Sequence, residues 1–307
     1  MDYEVVVIGG GLAGLTAGLY SSRFGLRTLI IEQMAPGGQV VNIERIETFP
    51  GFPDGIGGAT LGPMVQAQAE QAGAEFAFDT AKGIERDAAK GFTIRCSADD
   101  RRADAIIIAV GSLRRGLGVP GEAELRGHGV SECAACDGPF FVGKRVVVVG
   151  GGDSALDEAC VLADQGVEHI LLVHRGSSFE GQLRLIERVR SKPTIEPMFD
   201  TEIVEIRGDG VVSDVVLRHA GTLRTQAADA VFPYVGLQPN TDWLKGTVNL
   251  DSAGHVVTDA SLMTSLAGVF AAGDIRQHSA AQLVASAGDG ASAAVAAMRY
   301  LTGGHKR

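Results

Sequence analysis

Twice in this 307-residue chain a short, β-branched apolar run meets a triple glycine and continues as a helix. No other feature restricts the fold as much. In the first copy, Tyr3 to Ile8 (YEVVVI) reads as a buried parallel strand. It enters Gly9-Gly10-Gly11-Leu12-Ala13-Gly14, a full G-x-G-x-x-G, ahead of a helix expected from Leu12 to Phe24. Gly9 makes the tight turn, Gly11 admits a pyrophosphate against the backbone, and Gly14 lets helix and strand pack closely. The helix N-terminus then offers its amides and positive dipole end to the phosphates. A second strand, Thr28 to Ile31, ends in Glu32, eighteen residues past Gly14, where a carboxylate accepts from ribose hydroxyls.

The second copy runs from Lys144 to Val149 into Gly150-Gly151-Gly152-Asp153-Ser154-Ala155, a G-x-G-x-x-A with alanine allowed at the third position. A helix is expected from Ser154 to Gln165, closed by Gly166, with a strand from His169 to Val173. His174 and Arg175 stand nineteen and twenty residues beyond Ala155, so a cation replaces the acid of the first copy. That favours a 2′-phosphate, and NADP over NAD. Two such units predict an α/β chain that binds two dinucleotides.

Between them lies Cys133-Ala134-Ala135-Cys136-Asp137-Gly138. Two thiols separated by two small residues close a disulfide with little rearrangement, and one thiolate of such a pair is reactive near neutral pH. Asp137 is placed to move the proton this chemistry needs. A structural zinc site would want a second ligand pair at short spacing, and Cys96 and Cys160 are far apart, so no metal is expected. Cys96 reads as a small buried strand residue, and Cys160 has no assigned role. Together the three features suggest hydride passing from a nicotinamide, through a flavin, to a disulfide.

Pro36-Gly37-Gly38-Gln39 and Phe49-Pro50-Gly51-Phe52-Pro53 read as long functional loops. A helix is expected from Leu61 to Ala72, and strands from Phe92 to Cys96 and Ala105 to Val110. Strand-like runs at Thr201 to Ile206, Val211 to Arg218 and Ala230 to Val235 suggest a β-meander. Val269 to Ala272 leads into Gly273-Asp274, whose carboxylate suits a ribitol or sugar hydroxyl. The alanine-rich helix from Ala280 to Tyr300 carries Gly288 and Gly290, which close packing or a phosphate must demand. The expected organisation is two Rossmann-like dinucleotide-binding domains of three ββα layers, the second inserted into the first: residues 1–113 and 244–307 for the first, 114–243 for the second.

Composition narrows the partners. Glycine, at 42 residues, is about twice its usual share, in keeping with tight turns and close ligand approaches. A net charge of −10 without a basic cluster excludes a nucleic-acid surface. No apolar run has the length of a membrane span. The N-terminus enters a strand at once, so no signal peptide is expected, and the cysteine usage suits a reducing cytoplasm.

Over essentially its whole length the chain resembles the low-molecular-weight thioredoxin reductases. The matching residues are Gly9 to Gly14, Gly37-Gly38-Gln39, Phe49 to Pro53, Cys133 to Gly138, Gly150 to Ala155, Gly236-Leu237-Gln238-Pro239-Asn240 and Gly268 to Asp274. The resemblance implies a homodimeric FAD enzyme whose NADPH domain carries the dithiol and rotates against the FAD domain. It implies that Cys136 faces the flavin, that Cys133 attacks the disulfide of thioredoxin or a thioredoxin-like protein, and that Asp137 is the acid/base. Gly38, Gln39, Thr48, Asp274 and Gln282 match FAD contacts, and Gly150, Gly152, Asp153, Ser154, His174 and Arg175 fall in the nicotinamide domain.

Three departures stand out. The family's cationic clamp, His-Arg-Arg and a further Arg, is here His174-Arg175-Gly176-Ser177-Ser178-Phe179-Glu180. Losing two charge-assisted contacts weakens NADPH preference by about 1.5–3 kcal/mol each, and a carboxylate repels the phosphate. NADH is then expected to serve as well or better, unless another cation such as Arg184 refills the clamp. The family's Tyr-Arg-Gln at the flavin appears as Ala280-Ala281-Gln282. Glu132 stands where an aromatic residue often precedes the first cysteine, and it reads either as a solvated side chain or as a charge opposing the Cys133 thiolate. Alternatives that keep the flavin and dithiol are an NADH-linked reductase of another disulfide partner and a dithiol oxidase using oxygen. A flavin-bound redox sensor without turnover is the alternative of another class.

Overall fold

A strand between two parallel neighbours has to be apolar where both of its faces are covered, and β1 (Asp2–Ile8) is so from Val5 to Ile8. In the computed structural model, which describes residues 2–87 and 91–303, β1 leads into α1 (Leu12–Arg23) and β2 (Thr28–Glu32). Then follow α2 (Gly58–Gln71), β3 (Glu75–Phe78), β4 (Ala81–Arg86), β5 (Phe92–Cys96), β6 (Arg101–Ile108) and β7 (Ser112–Arg114). The middle of the chain contributes α3 (Ala134–Asp137), β8 (Arg145–Val149), α4 (Asp153–Asp164), β9 (His169–Val173), α5 (Leu183–Arg190) and β10 (Ile195–Met198). It continues with β11 (Thr201–Gly208), β12 (Val212–His219), β13 (Thr222–Ala227), β14 (Ala230–Pro233) and β15 (Leu237–Pro239). Last come β16 (Val269–Ala271) and α6 (Leu283–Leu301).

The chain divides into two units. One runs to Leu113 and resumes at Gln238, and the other spans Arg114 to Leu237. The second crossing precedes the 243/244 boundary suggested by sequence, because Asn240 N donates to Gly111 O (3.1 Å) and Leu244 is buried in the first unit's core. The outermost bounds, 1 and 307, lie outside the described residues.

In the first unit, β3, β2, β1 and β6 form a parallel sheet. The C-terminal half of β6 takes β16 in parallel (Val269 opposite Ile106), while its N-terminal half takes β5 antiparallel (Phe92 opposite Ala103). Alternation sends Val5, Val7, Ile107 and Phe270 to one face, against α1 and α6. It sends Val6, Ile8, Ile106 and Ile108 to the other, against Ile84, Phe92 and Ile94 of the β4–β5 hairpin. Helix, parallel sheet and antiparallel hairpin make the expected three layers.

The second unit repeats the scheme with β10-β9-β8-β14 in parallel. Val146, Val148, Ile170 and Leu172 face Ala155, Leu156, Ala159 and Leu162 of α4. Val147, Val149, Leu171 and Val173 face Ile203, Ile206, Val215 and Leu217. The meander is β11-β12-β13, and here the sequence expectation needs correcting. Its third strand is the polar, exposed Thr222–Ala227, whereas Ala230–Pro233 is wholly buried and pairs with β8. An all-apolar tetrapeptide suits a strand covered on both faces, and an exposed edge strand tolerates TLRTQA.

One carboxylate fastens the β5–β6 turn. Asp79 accepts from the amides of Thr80 (2.8 Å), Ser97 (3.0 Å), Ala98 (3.1 Å) and Asp99 (3.3 Å). Burial raises the Asp79 carboxyl, but the amides together outweigh it and hold it below its ordinary range. A group depressed in the folded state stabilises fully above its unfolded pKa, and loses that contribution as pH falls through the folded one. Asp79→Ala is therefore expected to cost about 1–3 kcal/mol at neutral pH. Urea unfolding of the two proteins at neutral and acid pH checks this, with the difference narrowing as the pH falls.

Candidate functional site

The two glycine turns are built alike. Gly9 has φ +103°, and a Cβ there would lie 2.4 Å from Ala109 O. At Gly14 a Cβ would stand 1.8 Å from Gly9 O, so α1 can start against β1 only with glycine at both positions. Gly11, the N-cap of α1, has open space beside it and no side chain capping the helix. The second unit matches: Gly150 has φ +147° and abuts Tyr234 O, while Gly152 caps α4 and is open. Open glycine ground at an uncapped helix N-terminus is what a dinucleotide diphosphate requires, so both turns fit one. Ser154, exposed in the first turn of α4, stands beside the second.

Around the first turn the side chains already hold one another. Glu32 accepts from Gly10 N (2.6 Å) with one oxygen and from Met34 N (3.0 Å) with the other. The Pro36–Gln39 loop lies against the turn: Gly37 N donates to Gly10 O (2.7 Å), and a Cβ on Gly38 would sit 3.1 Å from Gly11 Cα. Gln39 Nε2 donates to Ser112 O, and Ser112 Oγ donates to Asp274 O (3.2 Å). Thr48 and Gln282 are exposed.

Two residues that the sequence reading passed over complete this cluster. Ser286 Oγ donates to Asp274 Oδ1 (2.8 Å), and Asp289 accepts from Gly273 N (3.2 Å) and from Arg276 Nε (2.9 Å). Both lie on α6, which approaches α1 so closely that a Cβ at Gly290 would be 2.1 Å from Ala13 O. Close packing thus explains Gly290, while Gly288 faces open space. The signal was the Gly-Asp-Gly interruption of an alanine-rich helix.

Beyond the second turn, His174 is buried, its ring directly beneath Gly151, where a Cβ would be 2.4 Å away. Its Nε2 has no hydrogen-bond partner. A Cβ at Gly176 would come within 2.7 Å of that Nε2, so a larger residue there would have to shift the ring. Arg175 and Glu180 are exposed. The 176–182 segment folds back on the turn: Glu180 N donates to Gly151 O (2.8 Å), and Gln182 N and Nε2 both donate to the Asp153 carboxylate (2.7 Å each).

Cys133 and Cys136 form a disulfide with Cα atoms 5.3 Å apart. Cys133 caps the single turn of α3, its Sγ accepting from Cys136 N (3.2 Å). A thiolate on Cys133 would keep that donor and gain the partial positive charge of the turn. Cys136 is exposed, and Asp137 ends the turn, half-buried. Glu132 is paired with Arg126, which offsets its charge beside Cys133. Cys96 and Cys160 are free, and burial pushes each thiol up to about 11, which leaves them unreactive. Among the described residues no His, Cys, Asp and Glu cluster could hold a metal, and no helix is long and apolar enough to cross a membrane.

The Asp289 contacts generate a prediction. Asp289→Ala frees Arg276 and the Gly273 amide, and is expected to weaken FAD retention roughly tenfold, the value of one charge-assisted bond. Flavin absorbance after dialysis measures it, and unchanged retention refutes the assignment.

The model of the pyridine nucleotide-disulphide oxidoreductases matches residues 3–295. The chain is 40% identical over 303 residues to the thioredoxin reductase of Treponema pallidum, covering 98% of this chain and 97% of that one. It is 41% identical over 305 residues to the thioredoxin reductase of Listeria monocytogenes, covering 97% and 94%. The crystal structure of the Lactococcus lactis thioredoxin reductase superimposes with a TM-score of 0.95 at 36% identity, covering 98% of this chain and all of that one. By a family match over nearly its whole length and by these identities, the chain belongs to the pyridine nucleotide-disulphide oxidoreductase family, in its low-molecular-weight thioredoxin reductase branch.

Proposed function

We propose that this chain takes a hydride from NADPH or NADH through FAD, reduces its Cys133–Cys136 disulfide, and passes the electrons to thioredoxin or a thioredoxin-like protein. The observation that carries the proposal is the disulfide itself, held across one helical turn in a unit with its own dinucleotide turn. In the first unit Gly9, Gly11, Gly14, Glu32, Gly38, Gln39, Thr48, Gly273, Asp274 and Gln282 would hold FAD. In the second, Gly150, Gly152, Asp153, Ser154, His174 and Arg175 would hold the nicotinamide dinucleotide. Together these groups supply a two-electron path to the disulfide.

Once reduced, the Cys133 thiolate attacks one sulfur of the partner's disulfide, and the other leaves as a thiolate that takes a proton, with Asp137 as acid/base. Cys136 then attacks Cys133, which re-forms the internal disulfide and releases the second partner thiol. The Cys136 amide on Cys133 Sγ supports Cys133 as nucleophile. Phe140, 73% exposed, and Val142, 55% exposed, give apolar surface near the pair, which favours a macromolecular acceptor. A homodimer in the cytoplasm belongs to the same proposal and rests on the family.

Two measurements test it. In anaerobic titration, Cys136→Ser should lower the reducing equivalents taken up by about one electron pair, since the dithiol is a two-electron couple. It should also abolish turnover with thioredoxin. Thiol-dependent peroxide formation without thioredoxin reduction would favour an oxidase, and flavin that no nicotinamide reduces would favour a sensor. For the donor, kcat/KM with NADPH should exceed that with NADH by less than about tenfold, or fall below it, because two charge-assisted contacts are missing. Glu180→Arg should shift the ratio toward NADPH by roughly tenfold. An NADPH preference of hundreds overturns the donor assignment.

A further inference from the structure

Beneath the cysteine pair lies a charged group that the thiol chemistry does not use. Glu158, on the second turn of α4, has a side chain only 12% exposed. Its Oε2 accepts from Ala134 N (3.1 Å), the amide that directly follows Cys133. Its Oε1 accepts from Arg114 Nη2 (3.3 Å), and the Arg114 guanidinium lies 4.6 Å above the Tyr234 ring. Ala134 and Tyr234 are buried. At the far end of the same turn, Gly138 packs on Leu162 and Gln165, so the pair is seated on α4 at both ends. The seats differ in kind: Gly138 makes a close steric contact, while Ala134 is held by a carboxylate.

A buried carboxylate is costly unless it is paired and fully hydrogen-bonded. Burial raises the Glu158 carboxyl, and Arg114 and the Ala134 amide only partly offset that. Any residue could occupy a solvated flank of α4, yet here a carboxylate is kept out of water with one oxygen on the peptide between the two sulfurs.

We propose that Glu158 is a positioning residue for the redox pair, fixing the Ala134 peptide so that the Cys133 and Cys136 sulfurs stay at bonding reach, with Arg114 cancelling its charge. A preorganised turn raises the effective concentration of one thiol at the other and so favours the closed disulfide. Releasing the Ala134 peptide shifts the equilibrium toward the open dithiol. The hydrogen-bond acceptor acts here, and the net charge does not.

The test uses the full-length protein equilibrated in dithiothreitol buffers of graded oxidised-to-reduced ratio, then quenched with an alkylating reagent and counted by mass. Each turnover of the equilibrium is balanced: Cys133–Cys136 gains two electrons and two protons as dithiothreitol closes to its cyclic disulfide. Glu158→Ala is expected to move the constant roughly tenfold toward the dithiol, about 30 mV for this two-electron couple. Glu158→Asp, which keeps the charge but is one methylene too short to reach Ala134 N, is expected to move it likewise. Glu158→Gln, which keeps the acceptor, is expected to remain within about threefold of the unaltered protein. Melting curves establish that each variant is folded, and the Asp and Gln variants carry the test if the Ala variant is not. A folded Asp variant with an unchanged constant overturns the proposal, as does a Gln variant that shifts as far as Asp. The inference rests on Cys133 and Cys136 being the redox pair: if they fail to exchange in the unaltered protein, that reading fails first.

Discussion

The constraint on which everything else depends is a backbone contact too close for any side chain. Gly14 presses on the carbonyl of Gly9, and Gly290 presses on the carbonyl of Ala13. The first contact brings α1 to the end of β1 with its amides pointing outward. The second brings α6 onto α1, and with it Ser286 and Asp289 onto the loop of Gly273 and Asp274. A single Cβ at the first point lifts α1 off the turn after β1, and one at the second separates α6 from α1 and scatters the hydrogen bonds downstream. Glycine costs conformational entropy, but here it lets two helix axes approach closely enough for side chains on three segments to meet.

Wherever a short-range rule sufficed, the fold was legible in the sequence. Buried strands, glycine turns and the helices after them follow from patterns a few residues long, and their bounds moved by only a few positions. What escaped depends on the strand beside it. Thr222–Ala227 is a strand because β12 offers it an edge, and nothing apolar marks it. Glu75–Phe78 is a strand because β2 lies beside it. Within the site, both glycine turns and the cysteine pair could be named from spacing alone. Glu158, Arg114, Ser286 and Asp289 could not, since each acts on a residue far along the chain.

The acids beside the two glycine turns behave alike. Glu32 and Asp153 stand where a ligand would be met, yet both carboxylates are already bonded to neighbouring backbone or side chain. A carboxylate oxygen accepts more than one donor, so such bonding orients the group before a ligand arrives. In the second unit the same bonding ties the 176–182 segment to the helix start.

The imidazole beneath Gly151 carries a consequence for position 176. With His174 turned inward and its Nε2 against position 176, glycine is the residue that fits there. Any side chain at 176 would meet the ring first, so positions 174 and 176 are coupled through that contact. The floor of the turn and the residue two places along the chain are thus set together by one ring.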